Sequence, residues 1–510
     1  EHYHYPLWSF RSHRFRVALV LMFGMYMSFA NTASLGIGII CMVNSTAYSH
    51  DNAIVSEITN QSTIDLSKCH RPIVEETEHD TGYNGDILWS PTYQSALFSA
   101  NYYGSFVTVF FSGMLADRFG PKRLLIALFT MNTIITWLAP TIARFDYWTF
   151  FGARMLMGMG DGFLIPSINS LGAWWFPITE KSSMAALYTS GVQLAAGSSS
   201  FIGSRLCTVP FLGGWPLIFY LFGSLGLIWI VIFSITVTDH PSDNKWLTKH
   251  ELSFLEESHE EGERKKRISD IPWSSILQSA PMWSAILCNL TFSFCASLNI
   301  NFLPLYFKEE LSLSLKSNGL FTVAPFISQL IFKNILAYIA DHWKKTGKFS
   351  PDLTVKLFQA IGSFGSAALY IAMATLPNCQ QPWIAVVCLL LFGMTYSSGI
   401  CGFYTVIMTI APAYSGTLTS LMMIMGQIGN MLAPNTVSFV TLMKWPHKWS
   451  IIFGFGAILQ ICSGIIFMIF GSGEVAPWAR SKASIAAQKA ILLKETEVEM
   501  SSISENRAEA

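Results

Sequence analysis

Charge is scarce in this chain. Only 13% of its 510 residues are Asp, Glu, Lys or Arg, about half the share of an ordinary soluble domain. Acids and bases cancel to a net charge of zero, so there is no basic footprint for nucleic acid. Hydrophobic residues instead make up 51% of the chain, with 38 Phe and 16 Trp. No soluble core of this length hides so much apolar surface, whereas a lipid bilayer takes the place of the missing interior. The nine cysteines do not read as a disulfide framework. Cys207, Cys288, Cys295, Cys388, Cys401 and Cys462 fall inside apolar runs and are expected to act as small packing residues. Cys69 sits in a polar loop, where Cys379 is its one plausible partner. None of the eleven His lies within an apolar run, which argues against a buried histidine relay. No catalytic constellation, metal site or cofactor is expected, and hence no enzyme.

Crossing a bilayer takes about 20 mostly apolar residues. Runs that meet this lie at 17–43, 93–114, 124–143, 148–171, 184–206, 215–237, 278–303, 317–340, 353–376, 382–409, 415–438 and 449–471. The expectation is an all-α membrane protein with twelve spans in two six-helix halves, 17–238 and 274–471. A charge-dense bridge, 239–273, separates the halves. A short arm, 1–16, precedes them, a polar tail, 472–510, follows, and a long loop, 44–92, joins the first two spans. The arm carries Arg11, Arg14 and Arg16 straight into a full-length span. No cleavable signal peptide is therefore expected, and a natural start upstream of Glu1 is.

Lys and Arg concentrate in the arm, the 2–3 loop, the bridge and the 8–9 loop. Twelve spans put all four on one side, so both termini are expected in the cytoplasm. The 44–92 loop on the opposite side is acidic, with Glu75, Glu76, Glu78 and Asp80, and holds glycosylation triplets at Asn44 and Asn60. Asn60 is the better placed of the two, being farther from the membrane.

The 2–3 loop reads GMLADRFGPKR from Gly113 to Arg123, and the 8–9 loop reads AYIADHWKK from Ala337 to Lys345. Asp117 and Asp341 thus occupy equivalent places in the two halves, a parallel internal repeat. The first copy resembles the Gly-x-x-x-Asp-Arg-x-Gly-x-Arg/Lys-Arg/Lys signature of the major facilitator superfamily. That resemblance implies the twelve-helix major facilitator fold and alternating access. Gly113, Asp117, Arg118, Gly120, Lys122, Arg123 and Asp341 would then form its conformational latch.

An ionisable residue inside a span costs about 2.5–3.5 kcal/mol on insertion scales and needs a reason. Asp161 is the one carboxylate deep in a span. Arg154 lies seven residues earlier, on the same helical face and about 10 Å away along the axis. Gly160, Gly162 and Pro166 allow close packing or bending around them. Arg154 reads as an anion contact and Asp161 as a protonation or coupling site; the alternative is a structural charge pair pinning helices together. Lys333, in the eighth span, either serves substrate or snorkels to the interface, and Arg205 anchors a rim. Polar residues also gather in the first span, at Asn31, Thr32 and Ser34. A second group lies in the seventh, at Thr291, Ser293, Ser297, Asn299 and Asn301.

The stretch RMLMGMGDGFLIPSINSLGAWWFPITEKS, Arg154–Ser182, resembles solute carrier family seventeen, which holds sodium–phosphate cotransporters, sialin and vesicular glutamate transporters. GWPLIFYLFG (Gly214–Gly223), SNGLFTVAPF (Ser317–Phe326), IAPAYSG (Ile410–Gly416) and FGSGEVAPWA (Phe470–Ala479) extend the resemblance over nearly the whole chain. It implies a monomeric secondary transporter that carries a small anion, coupled to H+ or Na+, in the plasma membrane or a lysosomal or vesicular membrane. Arg154 matches the family's anion-binding arginine, and Asp161 replaces its coupling Glu. Other positions depart. Thr32 stands where a first-span arginine is found, Phe292 where a seventh-span arginine is found, and Phe98 and Asn169 where histidines are found. Val406 and Thr409 replace a tenth-span Asn and Asp. One remaining arginine suits a monoanion, phosphate or a polar neutral solute better than a dicarboxylate. The substrate site is expected to comprise Arg154, Asn31, Thr32, Asn169 and Asn299. An uncoupled or potential-driven facilitator and a non-transporting membrane sensor stand as alternatives.

Overall fold

A computed structural model describes residues 9, 12–44, 85–176, 181–260, 272–346, 349–378, 380–411, 415–445 and 447–479. Among these the chain forms twelve long helical segments: α1 (His13–Met42), α2 (Pro91–Phe119), α3 (Pro121–Phe145), α4 (Tyr147–Trp175), α5 (Lys181–Leu206), α6 (Pro216–Thr236), α7 (Ala280–Glu309), α8 (Leu315–Lys345), α9 (Pro351–Thr375), α10 (Trp383–Thr409), α11 (Ser415–Leu442) and α12 (Lys448–Phe470). At about 1.5 Å per residue, the shortest still crosses a hydrocarbon layer about 30 Å thick. Among the described residues, eight of the twelve are long and apolar enough to do so on composition alone. The other four, α2, α4, α5 and α11, carry more Ser, Thr, Asn and Gly and face other helices. The twelve-span expectation is met. The Asn60 triplet, Cys69, Cys379 and the tail beyond 479 lie outside the described residues.

Local sequence sets the helix starts. The Tyr93 N–H donates to the Ser90 hydroxyl, with Pro91 opening α2; Thr149 N–H donates to Asp146 at the start of α4; Leu353 N–H donates to Ser350 before Pro351 in α9. Each side chain satisfies a backbone donor that the first helical turn leaves free. Within α9 and α10 the helix widens into π turns, Ile361–Gly365 and Ile400–Tyr404. Gln359 braces both: it accepts from the Phe403 N–H at 3.0 Å and donates to the Ser363 hydroxyl at 2.8 Å.

The first helix begins four residues before its apolar run and takes His13 and Arg14 into its first turn. The reason lies in the bridge, whose helix Lys249–Glu260 delivers Glu251 to the start of α1. The Glu251 carboxylate accepts from Ser12 Oγ at 2.7 Å, from the His13 and Arg14 N–H groups at 3.1 and 3.2 Å, and from Arg14 Nε at 3.0 Å. Arg14 and Glu251 are each 1% exposed. Burial alone would push the Glu251 carboxyl up, but these hydrogen bonds outweigh it and hold it below the usual carboxylate value of 4.5. A carboxyl lowered in the folded state contributes stability above its unfolded pKa, and loses it as pH falls through the folded value. Wild-type protein in detergent should therefore become easier to unfold as the pH drops below about 4.5. Glu251→Ala should cost about 3–5 kcal/mol at neutral pH, the penalty of orphaning a buried arginine, and should flatten that acid dependence. Thermal unfolding followed from pH 7 downward measures both.

The cysteine expectation fails at one place. Cys41, at the end of α1, and Cys207, just past α5, form a disulfide with Cα atoms 6.2 Å apart. Position inside apolar runs hid this pairing: both runs end at the same face of the bundle, so two residues that look like apolar filler meet at the boundary. Cys288, Cys295, Cys388 and Cys401 are buried free thiols, and Cys462 is an exposed one. At the same disulfide end, Asn44 N–H donates to the Ile87 carbonyl and Ile87 N–H donates to Met42, closing the base of the long loop.

The halves meet through α2 and α11, α5 and α8, and α1 and α7. Toward the disulfide end the Phe98 and Phe302 rings pack at 4.8 Å. Ser99 and Tyr103 both donate to Asn435 Oδ1, at 3.4 and 3.2 Å, and Asn301 Nδ2 donates to the Tyr102 hydroxyl at 3.0 Å. Gly36 lets α1 touch the α7 backbone, since a Cβ there would lie 3.0 Å from the Ile300 carbonyl oxygen. This end of the interface is closed.

Candidate functional site

Helix α4 carries the site, and glycine sets its depth. A Cβ at Gly158 would collide with the Asn101 carbonyl, and one at Gly104 with the Met155 carbonyl. The backbones of α2 and α4 therefore touch, held also by hydrogen bonds from Ser105 Oγ to Gly158 O at 3.0 Å and from Thr108 Oγ1 to Met159 O at 2.9 Å. That approach brings Asn101 to Asp161. The Asp161 carboxylate accepts from Ser28 Oγ on α1 at 2.6 Å, Asn101 Nδ2 on α2 at 3.1 Å, and Asn132 Nδ2 on α3 at 3.3 Å. Three helices thus supply three uncharged donors to one carboxylate. Asn132 Oδ1, the other end of the same amide, is buried without a partner.

Arg154 lies nearly two turns along the same face and is 3% exposed. Its guanidinium makes one long contact, Nη1 to the Asn31 carbonyl at 3.4 Å, and a weak one to Met157 Sδ at 3.9 Å; Nε is buried without a partner. It senses Asp161 and the Tyr102 hydroxyl electrostatically but bonds neither. A tight pocket forms around it, lined by Asn31, Thr136, Ala139, Met157 and Phe219. Asn31 Oδ1 is a second buried polar atom without a partner.

Not every expected site residue joins this group. Asn31 does, and Thr32 beside it is partly exposed. Asn169 sits two turns beyond Asp161, where it accepts from the Tyr188 hydroxyl at 3.0 Å. Asn299 turns into the second half and accepts from Tyr370 at 3.4 Å. Ser28, Asn101 and Asn132 were legible only as single polar residues in apolar helices. What singles them out is convergence on Asp161, which requires the helix packing to be known.

Of the latch residues, Gly120 caps α3 with a φ of +84° that favours glycine. The Lys122 N–H donates to Asp239 Oδ1 at 2.7 Å and Lys122 Nζ donates to the Ser234 carbonyl at 2.9 Å. Lys122 therefore ties α3 to the end of α6 within the first half. Arg118 stacks its guanidinium over Phe119, and Arg123 is exposed. The side chains of Asp117 and Asp341 and the surroundings of Gly113 lie outside those described.

Residues 19–434 match the Major Facilitator Superfamily. An uncharacterized Caenorhabditis elegans transporter, slc-17.3, is 31% identical, over 93% of this chain and 91% of its own length. A putative inorganic phosphate cotransporter of Drosophila melanogaster is 28% identical over 91% of this chain and 86% of its own. Human sialin is 24% identical over 92% and 91%. Among solved structures, a D-xylose–proton symporter superposes with a TM-score of 0.63 at 16% identity, over 91% of this chain and 100% of its own. The last likeness speaks for the fold alone. The fold and the sequence likeness together show that this chain is a membrane transporter, not an enzyme, and that it belongs to solute carrier family seventeen of the Major Facilitator Superfamily.

Proposed function

We propose that the protein is a secondary active symporter that moves a small monoanion together with a cation, by alternating access around Arg154. The observation that carries this is the state of Arg154. A permanently charged guanidinium buried in the membrane costs several kcal/mol unless something pairs with it. Asp161 does not: its carboxylate is already bonded to Ser28, Asn101 and Asn132. This weighs against a structural ion pair, and a transported anion fits the unmet need through a bidentate contact. Relatives named as sialin and as phosphate cotransporters support an anion. One deep arginine supports a single charge. Asp161, poised among neutral donors, is the coupling group.

The Cys41–Cys207 disulfide supports the exterior or lumen for its end of the bundle, because such bonds persist in oxidising compartments. Both termini then lie in the cytoplasm, in agreement with the basic loops. Asn60 and Asn44 lie on the glycosylated side. The test is uptake by purified protein in liposomes. Labelled phosphate and a panel of monocarboxylates should be concentrated under an imposed proton or sodium gradient and should compete with one another. Saturable uptake of neutral solutes alone, indifferent to anions, overturns the anion assignment.

A further inference from the structure

On the lipid side of the seam between the halves, α5 and α8 diverge around a cleft of about 270 Å³, walled by Gln193, Gly197, Phe201, Val323, Phe326 and Leu330. Its rim residues Leu194, Leu320 and Ile327 are exposed, so the cleft opens to the bilayer. The lining is apolar except for Ser198, whose hydroxyl is bonded to the Tyr26 hydroxyl at 2.8 Å, and Gln193, whose Oε1 is buried without a partner. Lys333 follows Leu330 by three positions and Phe326 by seven, and Thr189 precedes Gln193 by four and Gly197 by eight. These spacings put Lys333 and Thr189 on the cleft-lining faces of their helices. The two lie about one helical turn beyond the lining residues Leu330 and Gln193, with Lys333 Nζ donating to Thr189 Oγ1 at 2.7 Å. The bond runs across the halves, so Lys333 is turned toward α5 rather than stretched to the membrane surface. It is the one basic residue deep in a second-half helix, and no carboxylate pairs with it among the described residues.

An apolar trench open to lipid, with an ammonium that lacks an acid about one turn beyond its lining, is complementary to an amphipathic anion. We propose that this cleft binds a single-chain carboxylate from the bilayer, its alkyl chain along Val323, Phe326 and Gly197 and its carboxylate on Lys333 and Thr189. Charge complementarity selects the head and lipid access selects the tail. A carboxylate gives Lys333 the charge-assisted partner it lacks. Because α5 and α8 belong to opposite halves, an occupant here lies across a seam that alternating access must rearrange, and occupancy slows transport. The binding claim stands apart from the reading of Arg154 and is tested without uptake.

The experiment is photolabelling of the full chain in nanodiscs of neutral phospholipid, using a long-chain carboxylate bearing a diazirine near the chain end. Label should map to α5 and α8 peptides, and palmitate should displace it while acetate and methyl palmitate do not. Lys333→Gln should reduce labelling at least about tenfold, as expected for losing a hydrogen bond to a charged group, and Lys333→Arg should keep it. Gly197→Leu, which fills the cleft while leaving Lys333 intact, should also abolish it; the melting temperature of each variant reports its folding. Equal displacement by the methyl ester, undiminished labelling of a folded Lys333→Gln protein, or label mapping elsewhere each overturns the proposal.

Discussion

Arg154→Lys will all but abolish anion uptake while leaving the protein folded and in its membrane. Lysine keeps the positive charge, so a role as bulk counter-charge would survive the change. It loses the planar fork, the unpartnered Nε included, that grips a carboxylate or phosphate through two parallel hydrogen bonds. Losing one charge-assisted bond of about 1.5–3 kcal/mol lowers kcat/KM by roughly 10- to 150-fold. Arg154→Ala should remove transport altogether. Folding should tolerate both variants, because the folded protein gives the guanidinium only a long contact to Asn31 O and a thioether. A structural role has the opposite signature: Arg154→Lys near normal and Arg154→Ala misfolded. Uptake measured alongside membrane abundance and melting temperature separates the two. Thermal stabilisation by the transported anion, present in wild type and absent in Arg154→Lys, gives a second readout free of transport kinetics.

The architecture was legible because its cause is local. Each span announces itself as an apolar run, and Pro91, Pro121, Pro216 and Pro351 mark helix starts where a missing N–H does no harm. Arg154 and Asp161 were legible for the complementary reason: charge is so scarce in these helices that two charged residues on one face stand out. What the sequence could not convey was convergence between helices. Ser28, Asn101 and Asn132 lie on three separate segments and meet at Asp161 only in the packed bundle, Asn101 because Gly104 and Gly158 let α2 and α4 touch. The Cys41–Cys207 bond leaves no mark in the sequence, because its partners lie 166 positions apart at the ends of two apolar runs. Glu251 looked like one more solvated charge in a charge-rich bridge, yet it is buried under the first turn of α1. Asn299 shows the converse. A polar residue in a cavity-facing helix invites a substrate role, but its neighbour across the helix packing is Tyr370.

Asp161→Asn should abolish gradient-driven accumulation while sparing exchange of substrate across a membrane without a gradient. The carboxylate is held by Ser28, Asn101 and Asn132, all neutral donors, so its ionised form is accommodated. Taking up a proton turns one carboxylate oxygen from acceptor into donor, and the cradle must then offer an acceptor. Asn132 has one in place: Oδ1 of the same amide is buried and unpartnered, and a half-turn of the amide exchanges Nδ2 for Oδ1. The site can therefore satisfy both protonation states, which a coupling group must do as it takes a proton from one side and releases it to the other. Asparagine at 161 imitates the protonated form permanently, so the carrier should cycle with substrate but no longer respond to the pH difference. In liposomes the variant should show wild-type counterflow, within about threefold, and accumulation no higher than equilibrium, a loss comparable to removing the gradient itself. Asn132→Leu, which deletes the amide but keeps the carboxylate, should weaken coupling without the complete loss and shift the pH at which uptake is half-maximal. An Asp161→Asn protein that still concentrates substrate as wild type does would place the coupling group elsewhere. One that accumulates under a sodium gradient but not a proton gradient would separate two cation routes and exclude Asp161 from the sodium route.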